Sequence, residues 1–490
     1  MGSVSEDQPA RVLSPVLCVD LDGTLIRGNV LLECVFVLLK TRPVALFQLP
    51  FWLLSGRASF KRRVAAGIHF NPSRLAYRQP VLDLLHQEKA NGRRIALVTA
   101  ADRKLGEAIS SYLGLFDEVY ASDGKVNLKG AHKAEFLTRH FAQTGFEYVG
   151  DSSADLEVWR NASGAYVVGT QARANQASAV TNLKDAILEP RASFHTSFRI
   201  WINALRGHHW SKNLLLFLPL ALSHNLSVEP LIRTLIGFAL FSLCASGLYI
   251  LNDLIDLHSD REHPWKKERP FAAGEISIPA GLLASFILLA SAFCLGYLLS
   301  AKFDLALVGY ATLTTFYVLY FKKIALLDVF VLSSFYSFRI LAGSLISATP
   351  LSQWFLAFSM FFFLSLAMAK RYSELLHASD LVTAGNSGRG YRMGDRELLL
   401  SLGIGSSFSA VVIFSVYVHS QDVLLLYSSP EVLLLLCPIV LYWLSRTWLM
   451  AHRGVLNEDP ITLAIRDPVS YGVAIAAALV IAASMIRINW

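Results

Sequence analysis

Apolar positions change their pattern near residue 195. Before it, short apolar runs end in polar turns. Residues 16–20 (VLCVD) open an Asp-x-Asp-Gly-Thr turn, 94–99 (RIALVT) end in a hydroxyl, and 148–155 (YVGDSSAD) end in two carboxylates. Such a run closed by a polar turn predicts a buried parallel strand with functional groups at its carboxyl end. After residue 195 the apolar runs lengthen. About nine are near the roughly 20 residues a helix needs to cross a bilayer. They lie at 213–224, 232–251, 278–299, 305–321, 324–347, 354–369, 398–418, 423–448 and 469–485. The first is short, and 198–205 would extend it through a break at 206–210.

This pattern predicts an α/β domain over 1–189, a linker over 190–205 and an all-α polytopic membrane domain over 206–490. Residues 189–197 (EPRASFHTS) have the composition of a linker. Residues 26–92 are long enough for a helical cap inserted in the first domain. Within them, 43–54 (PVALFQLPFWLL) is apolar but too short to span a bilayer. We read it as cap core, with an interfacial patch against lipid as the alternative. Arg57, Lys61, Arg62 and Arg63 follow, either as a solvated helix face or facing anionic head groups.

Charge refines the picture. The chain has 490 residues, 54% hydrophobic, with a net charge of +7. An excess of base can signal nucleic acid, but no stacking aromatic module accompanies it, so nucleic acid is not an expected partner. The basic residues instead gather on alternate loops, and the opposite loops hold little beyond Arg233 and Lys302. That predicts an integral protein of the cell inner membrane, with the first domain and every polar motif on the cytoplasmic side. Residues 1–15 are polar, so no secretory signal is expected there. The five cysteines form no CxxC pair, and most of them lie in apolar runs and read as buried thiols.

The densest chemistry is 252–270, NDLIDLHSDREHPWKKERP. On a continuous helix Asn252, Asp253, Asp256 and Asp260 share one face. Carboxylates so close repel unless a divalent cation and a diphosphate lie among them, and Mg²⁺ favours such oxygens. Arg261 and Lys267, with His263, Lys266 and Arg269, are candidates to grip phosphates. Four more clusters follow the same logic. Lys212 closes RGHHWSK, and Arg339 sits inside an apolar span, where an ionisable group is a functional candidate or half of a structural ion pair. Lys370, Arg371, Tyr372 and Glu374 end the sixth span, and Arg466 precedes the last.

The motifs of the first domain stand in the order of the haloacid dehalogenase phosphatase superfamily, which they resemble. The resemblance implies a Rossmann-like sheet with a helical cap. It makes Asp20 the nucleophile that forms an aspartyl-phosphate, Asp22 the general acid and base, and Thr99 a holder of the transferring group. Lys133, with Lys129 as the lesser candidate, would neutralise charge, and Asp20, Asp151 and Asp155 would hold Mg²⁺.

The second part resembles the UbiA prenyltransferase superfamily, nearest its decaprenyl-phosphate phosphoribosyltransferase branch. HWSKN, NDLIDLHSDREHPWKKERP, FRILAG, SQWF, AKRYSE and LAIRDP carry the resemblance. It implies a second Mg²⁺ on Asp253 and Asp256, with Asn252 and Asp260 beside them. The implied substrates are polyprenyl phosphate and phosphoribosyl diphosphate, met at the bilayer. Aromatic prenyltransferases carry a second aspartate-rich motif where this chain has Lys370, Arg371, Tyr372 and Glu374. A basic motif there suits a phosphate better than a second ion. The expected product is polyprenylphosphoryl-5-phosphoribose, with the first domain removing the 5-phosphate. The alternative is an aromatic or lipid prenyltransferase using a prenyl diphosphate, beside a separate phosphatase. A lipid transporter with a regulatory domain is disfavoured, because the polar residues sit at span ends rather than at mid-membrane breaks. A homo-oligomer is compatible with this sequence.

Overall fold

The computed structural model describes residues 14–123, 127–188, 193–223, 227–380, 390–456, 464 and 466–486. The chain divides into two compact units. One is Met1–Leu205 with Ile250–Ala284, and the other is Arg206–Tyr249 with Ser285–Trp490. The aspartate-rich segment thus packs with the α/β domain, whereas its sequence position groups it with the membrane helices.

The first unit is built on a six-stranded parallel sheet of order β3-β2-β1-β4-β5-β6. The strands are β1 (Val16–Val19), β2 (Ile95–Asp102), β3 (Glu118–Ser122), β4 (Phe146–Gly150), β5 (Gly164–Gly169) and β6 (Leu183–Leu188). Continuous apolar runs are required here because both faces are covered. In β1, Leu17 and Val19 enter one core while Val16 and Cys18 enter the other. Helices α1 (Val30–Thr41), α2 (Ala45–Leu54) and α3 (Arg57–Ala66) form the cap between β1 and β2. Helices α4 (Gln79–Ala90), α5 (Arg103–Leu113), α6 (Ala131–His140), α7 (Leu156–Trp159) and α8 (Gln171–Ser178) complete the α/β fold. Part of the expected linker is helical, as α9 (Phe194–Leu205).

The second unit is helical. A 3₁₀ segment, Gly207–Phe217, leads into α10 (Leu218–Leu222). The remaining helices are α11 (Val228–Ile255), α12 (Leu257–Glu262), α13 (Ile278–Leu299), α14 (Ala301–Leu319), α15 (Leu327–Ser347), α16 (Gln353–Asp380), α17 (Arg396–Val418), α18 (Gln421–Leu426), α19 (Leu436–His452) and α20 (Pro468–Ser484). Of these, α12, the end of α11 and the start of α13 belong to the first unit.

Among the described residues, 7 helices are long and apolar enough to cross a membrane: α11, α13 to α17, and α19 together with the 3₁₀ turn that begins at Pro430. The other two expected spans are shorter. The first is the 3₁₀ segment with α10, and the last is α20 at 17 residues. Gly343 of α15 lets the 3₁₀ segment approach, since a Cβ there would lie 2.1 Å from the Leu216 carbonyl oxygen.

Candidate active sites

Three neighbouring strands assemble the first site. β1 pairs with both β2 and β4, so the turn after β1, the end of β2 and the turn after β4 meet at one edge. Asp20 lies just past β1 and is 9% exposed. Its Oδ1 accepts hydrogen bonds from Lys133 Nζ at 2.9 Å and from the Leu21 amide at 2.8 Å. Lys133 is buried on α6, whereas Lys129 is exposed. Asp22 Oδ1 accepts from the Val30 amide at the start of α1, at 2.8 Å. Thr99 is fully buried on β2, its Oγ1 accepting from the Ala101 amide at 3.0 Å. Gly23 has φ +80, and a Cβ on it would lie 2.3 Å from Asp151 Oδ2. Glycine therefore serves the turn twice, by conformation and by size.

Asp20, Asp151 and Asp155 each place a carboxyl oxygen within 4.8 Å of the other two. Burial pushes the Asp20 carboxyl up, with Asp155 adding to the effect while Lys133 opposes it. Burial raises Asp22 to about 7, and burial with the charge of Asp155 raises Asp151 to about 6. Such clustered, desolvated carboxyls are stabilised by a hard divalent cation, and an all-oxygen donor set fits Mg²⁺.

Sequence reasoning missed three supporting groups. Tyr148 OH accepts from Lys133 Nζ at 2.8 Å and donates to Asp155 Oδ1 at 3.1 Å, fixing both. Thr24 Oγ1 donates to Asp151 Oδ1 at 3.1 Å. Lys61 of α3 turns inward rather than lining a solvated face. Its Nζ donates to the Ala100 carbonyl at 2.6 Å and to Asn127 Oδ1 at 2.7 Å, and burial lowers its pKa. The Thr was legible as part of DxDGT. Tyr148 and Lys61 carried no local signal.

The aspartate-rich segment differs from the expected continuous face. The helix breaks at Asp256, and α12 resumes at Leu257. Asp253 and Asp260 are buried and share Arg269, whose Nη1 reaches Asp253 Oδ1 at 3.1 Å and Asp260 Oδ2 at 2.7 Å. Asp256 Oδ1 pairs with Lys40 of α1 at 2.8 Å. The expected Mg²⁺ ligands Asp253 and Asp256 are thus engaged by protein cations. Among the described residues, three acidic oxygens converge only at Asp20, Asp151 and Asp155. Asn252 is half-buried and Lys267 exposed.

Arg261 was expected to grip phosphate, and the structure commits it elsewhere. Its Nη1 donates to Glu33 Oε2 at 2.8 Å and to the Arg74 carbonyl at 2.8 Å, and its Nη2 donates to Glu33 Oε1 at 3.1 Å. His258 Nε2 lies 3.0 Å from Glu33 Oε2. Burial pushes the Glu33 carboxyl up, but hydrogen bonds from His258 and Arg261 outweigh it and hold it below its ordinary value.

In the second unit Arg339 is buried, and among the described residues it has no carboxylate partner. Its Nε donates to Asn213 Oδ1 at 2.8 Å, Nη1 to the Phe335 carbonyl at 2.7 Å and Nη2 to Tyr310 OH at 3.1 Å. The guanidinium carbon lies 5.4, 5.2 and 5.8 Å from the rings of Phe241, Tyr310 and Tyr336. Lys212 Nζ lies 5.7 Å from the Tyr336 ring centre. Arg371, also expected to meet phosphate, is instead buried against Asp328, with Nη2 at 3.1 Å from Oδ1, and its Nη1 reaches Glu374 Oε2 at 2.7 Å. Asp328 was missed, although a carboxylate in the apolar run ALLDVF is the kind of residue that signals a buried partner. Tyr372 OH lies 3.0 Å from His452 Nδ1. Lys370 is half-buried and Arg466 exposed.

A parallel sheet with an insertion cap and this carboxylate–lysine cluster defines a haloacid dehalogenase-like hydrolase domain, and residues 17–160 match that family. The chain belongs to the UbiA prenyltransferase family, whose match covers residues 214–466. It is 38% identical over 473 residues to uncharacterized protein y4nM of Sinorhizobium fredii, covering 96% of this chain and 91% of that one. It is 34% identical over 272 residues to nodulation protein NoeC of Azorhizobium caulinodans, covering 55% and 88%. It is 34% identical over 197 residues to decaprenyl-phosphate phosphoribosyltransferase of Mycobacterium tuberculosis, covering 39% and 64%.

Proposed function

We propose that the chain transfers phosphoribosyl from phosphoribosyl diphosphate to a polyprenyl phosphate and then removes the 5-phosphate. The observation that carries this is one chain joining the Asp20–Lys133 hydrolase pocket to a stretch similar to decaprenyl-phosphate phosphoribosyltransferase.

In the first step an oxygen of the lipid phosphate attacks the anomeric carbon as diphosphate departs. Lys212, Lys267, Lys370 and Arg466 are our candidates for phosphate contacts, with Arg339 stabilised by rings and Asn213. Asn252, Asp253, Asp256 and Asp260 mark the diphosphate end. There Arg269 and Lys40 supply positive charge beside these carboxylates. Tyr372 and Glu374 complete the KRYSE contribution.

In the second step Asp20 attacks the 5-phosphate phosphorus, and the sugar oxygen leaves with a proton from Asp22. Water, deprotonated by Asp22, then cleaves the aspartyl-phosphate. Thr99 and Lys133 hold the transferring oxygens. Asp20, Asp151 and Asp155 would hold Mg²⁺, which when bound adds positive charge to the phosphoryl group. Tethering raises the effective concentration of each product at the next site. The gathering of basic residues on one set of loops supports a cytoplasmic placement of both sites in an inner membrane.

The test uses purified full chain in detergent with Mg²⁺, decaprenyl phosphate and labelled phosphoribosyl diphosphate. The proposal expects label in a ribose lipid without 5-phosphate. Asp20→Asn should stall it at the phosphorylated lipid, and Asp253→Ala should prevent labelling. Without any lipid labelling the phosphoribosyl reading fails. Family membership then favours the second reading, transfer from a prenyl diphosphate.

A further inference from the structure

The short apolar stretch at 43–54 is cap core on one face only. Helix α2 turns Ala45, Leu49 and Trp52 toward the domain interior. Its other face leaves Leu46, Phe47, Phe51, Leu53 and Leu54 exposed, with Phe47 at 75%, Phe51 at 70% and Leu54 at 86%. Gln48 is the one polar side chain between Pro43 and Leu54. Contiguous apolar exposure on this scale marks an interaction surface.

We infer that α2 is an interfacial helix that docks the phosphatase domain on a bilayer containing anionic lipid. Three observations select this occupant. The helix has 10 residues, roughly 15 Å at 1.5 Å per residue, half of the hydrocarbon thickness, so it lies in the plane instead of spanning. Exposed arginines flank it, Arg42 before and Arg57, Arg62 and Arg63 after, and none of the four forms an ion pair among the described residues. An apolar face rimmed by unpaired positive charge is complementary to acyl chains below anionic head groups. A second copy docked through the same face would bring the arginines of both copies together, which like-charge repulsion opposes. The chain also carries its own spans, so a bilayer is always within tether.

The docking stands apart from the proposed reaction, although it would serve it. Helix α3 follows α2 directly and carries Lys61 to the rim of the Asp20 pocket.

The test is photocrosslinking of full-length protein in liposomes of phosphatidylcholine and phosphatidylglycerol. The photoreactive residue p-benzoylphenylalanine replaces Phe51, or, as a control, Tyr112 of α5, which is also exposed. Both sites are at the surface, and a thermal melt verifies that the variants fold. Lipid adducts several-fold more abundant from position 51 than from 112 are expected. The combined Arg57→Glu, Arg62→Glu and Arg63→Glu protein should lose most of that excess. Adducts from position 51 to another copy or to other parts of the chain, equal lipid yields at both positions, or a yield insensitive to the arginine changes would overturn the inference.

Discussion

Glu33 and Arg261, 228 residues apart, are joined through both guanidinium Nη atoms at 2.8 and 3.1 Å, with the Glu33 side chain 1% exposed. Breaking such a pair strands a buried charge, whereas replacing both partners by apolar groups does not. Arg261→Ala should lower the stability of the first unit by about 3–5 kcal/mol. The double change Glu33→Leu with Arg261→Met should recover most of it. Denaturant unfolding of the full chain, read as a double-mutant cycle, checks this.

The same carboxyl sets a pH dependence. Its folded pKa lies below the unfolded value near about 4.3, because the bonds from His258 and Arg261 overcome burial. Its contribution is therefore complete above that unfolded value and is lost as pH falls through the folded one. The melting temperature of the wild type should drop more steeply than that of Glu33→Gln between neutral pH and pH ~3.

Lys370 and Arg371 are neighbours with different fates. Arg371 is buried against Asp328, so Arg371→Ala should cost about 3–5 kcal/mol, with lysine a poor substitute for the two-point contact. Lys370→Ala should lower transferase kcat/KM about tenfold or more with a smaller thermal loss than Arg371→Ala, as expected of a charge-assisted phosphate contact. An equal thermal loss in both would refute the division of labour.

Metal dependence should mark the Asp20 site. Chelation should abolish phosphate release, and Mg²⁺ should restore it. Asp151→Asn should raise the Mg²⁺ needed for half-maximal rate, because one of three converging oxygen donors loses its charge. Tyr148→Phe should retain the requirement and lower the rate modestly, since it removes only the hydroxyl between Lys133 and Asp155.

Gly343→Ala tests packing. The new Cβ would sit 2.1 Å from the Leu216 carbonyl oxygen, a contact only backbone movement relieves. A loss of about 1–3 kcal/mol is expected, read by thermal unfolding in detergent.

Much of this protein follows from local pattern. Continuous apolar runs with polar ends marked β1, β2 and β4, since a strand covered on both faces has no polar side to show. Long apolar runs marked the membrane helices, since a helix must exceed a fixed length to cross lipid. The motif order brought Asp20, Lys133 and Asp151 together in advance, because each sits just past a strand or at a helix start that local sequence announces. What only the tertiary structure decided were pairings between distant segments. Spacing along 252–270 put four polar groups on one face, but the break at Asp256 and the positions of Arg269 and Lys40 divided them. Arg261 and Arg371 looked like free cations until Glu33 and Asp328 claimed them. The apolar face of α2 read as core, because composition records how hydrophobic a helix is and not whether anything covers it. An ion pair or a buried face depends on where two remote segments meet, and no single stretch of sequence carries that distance.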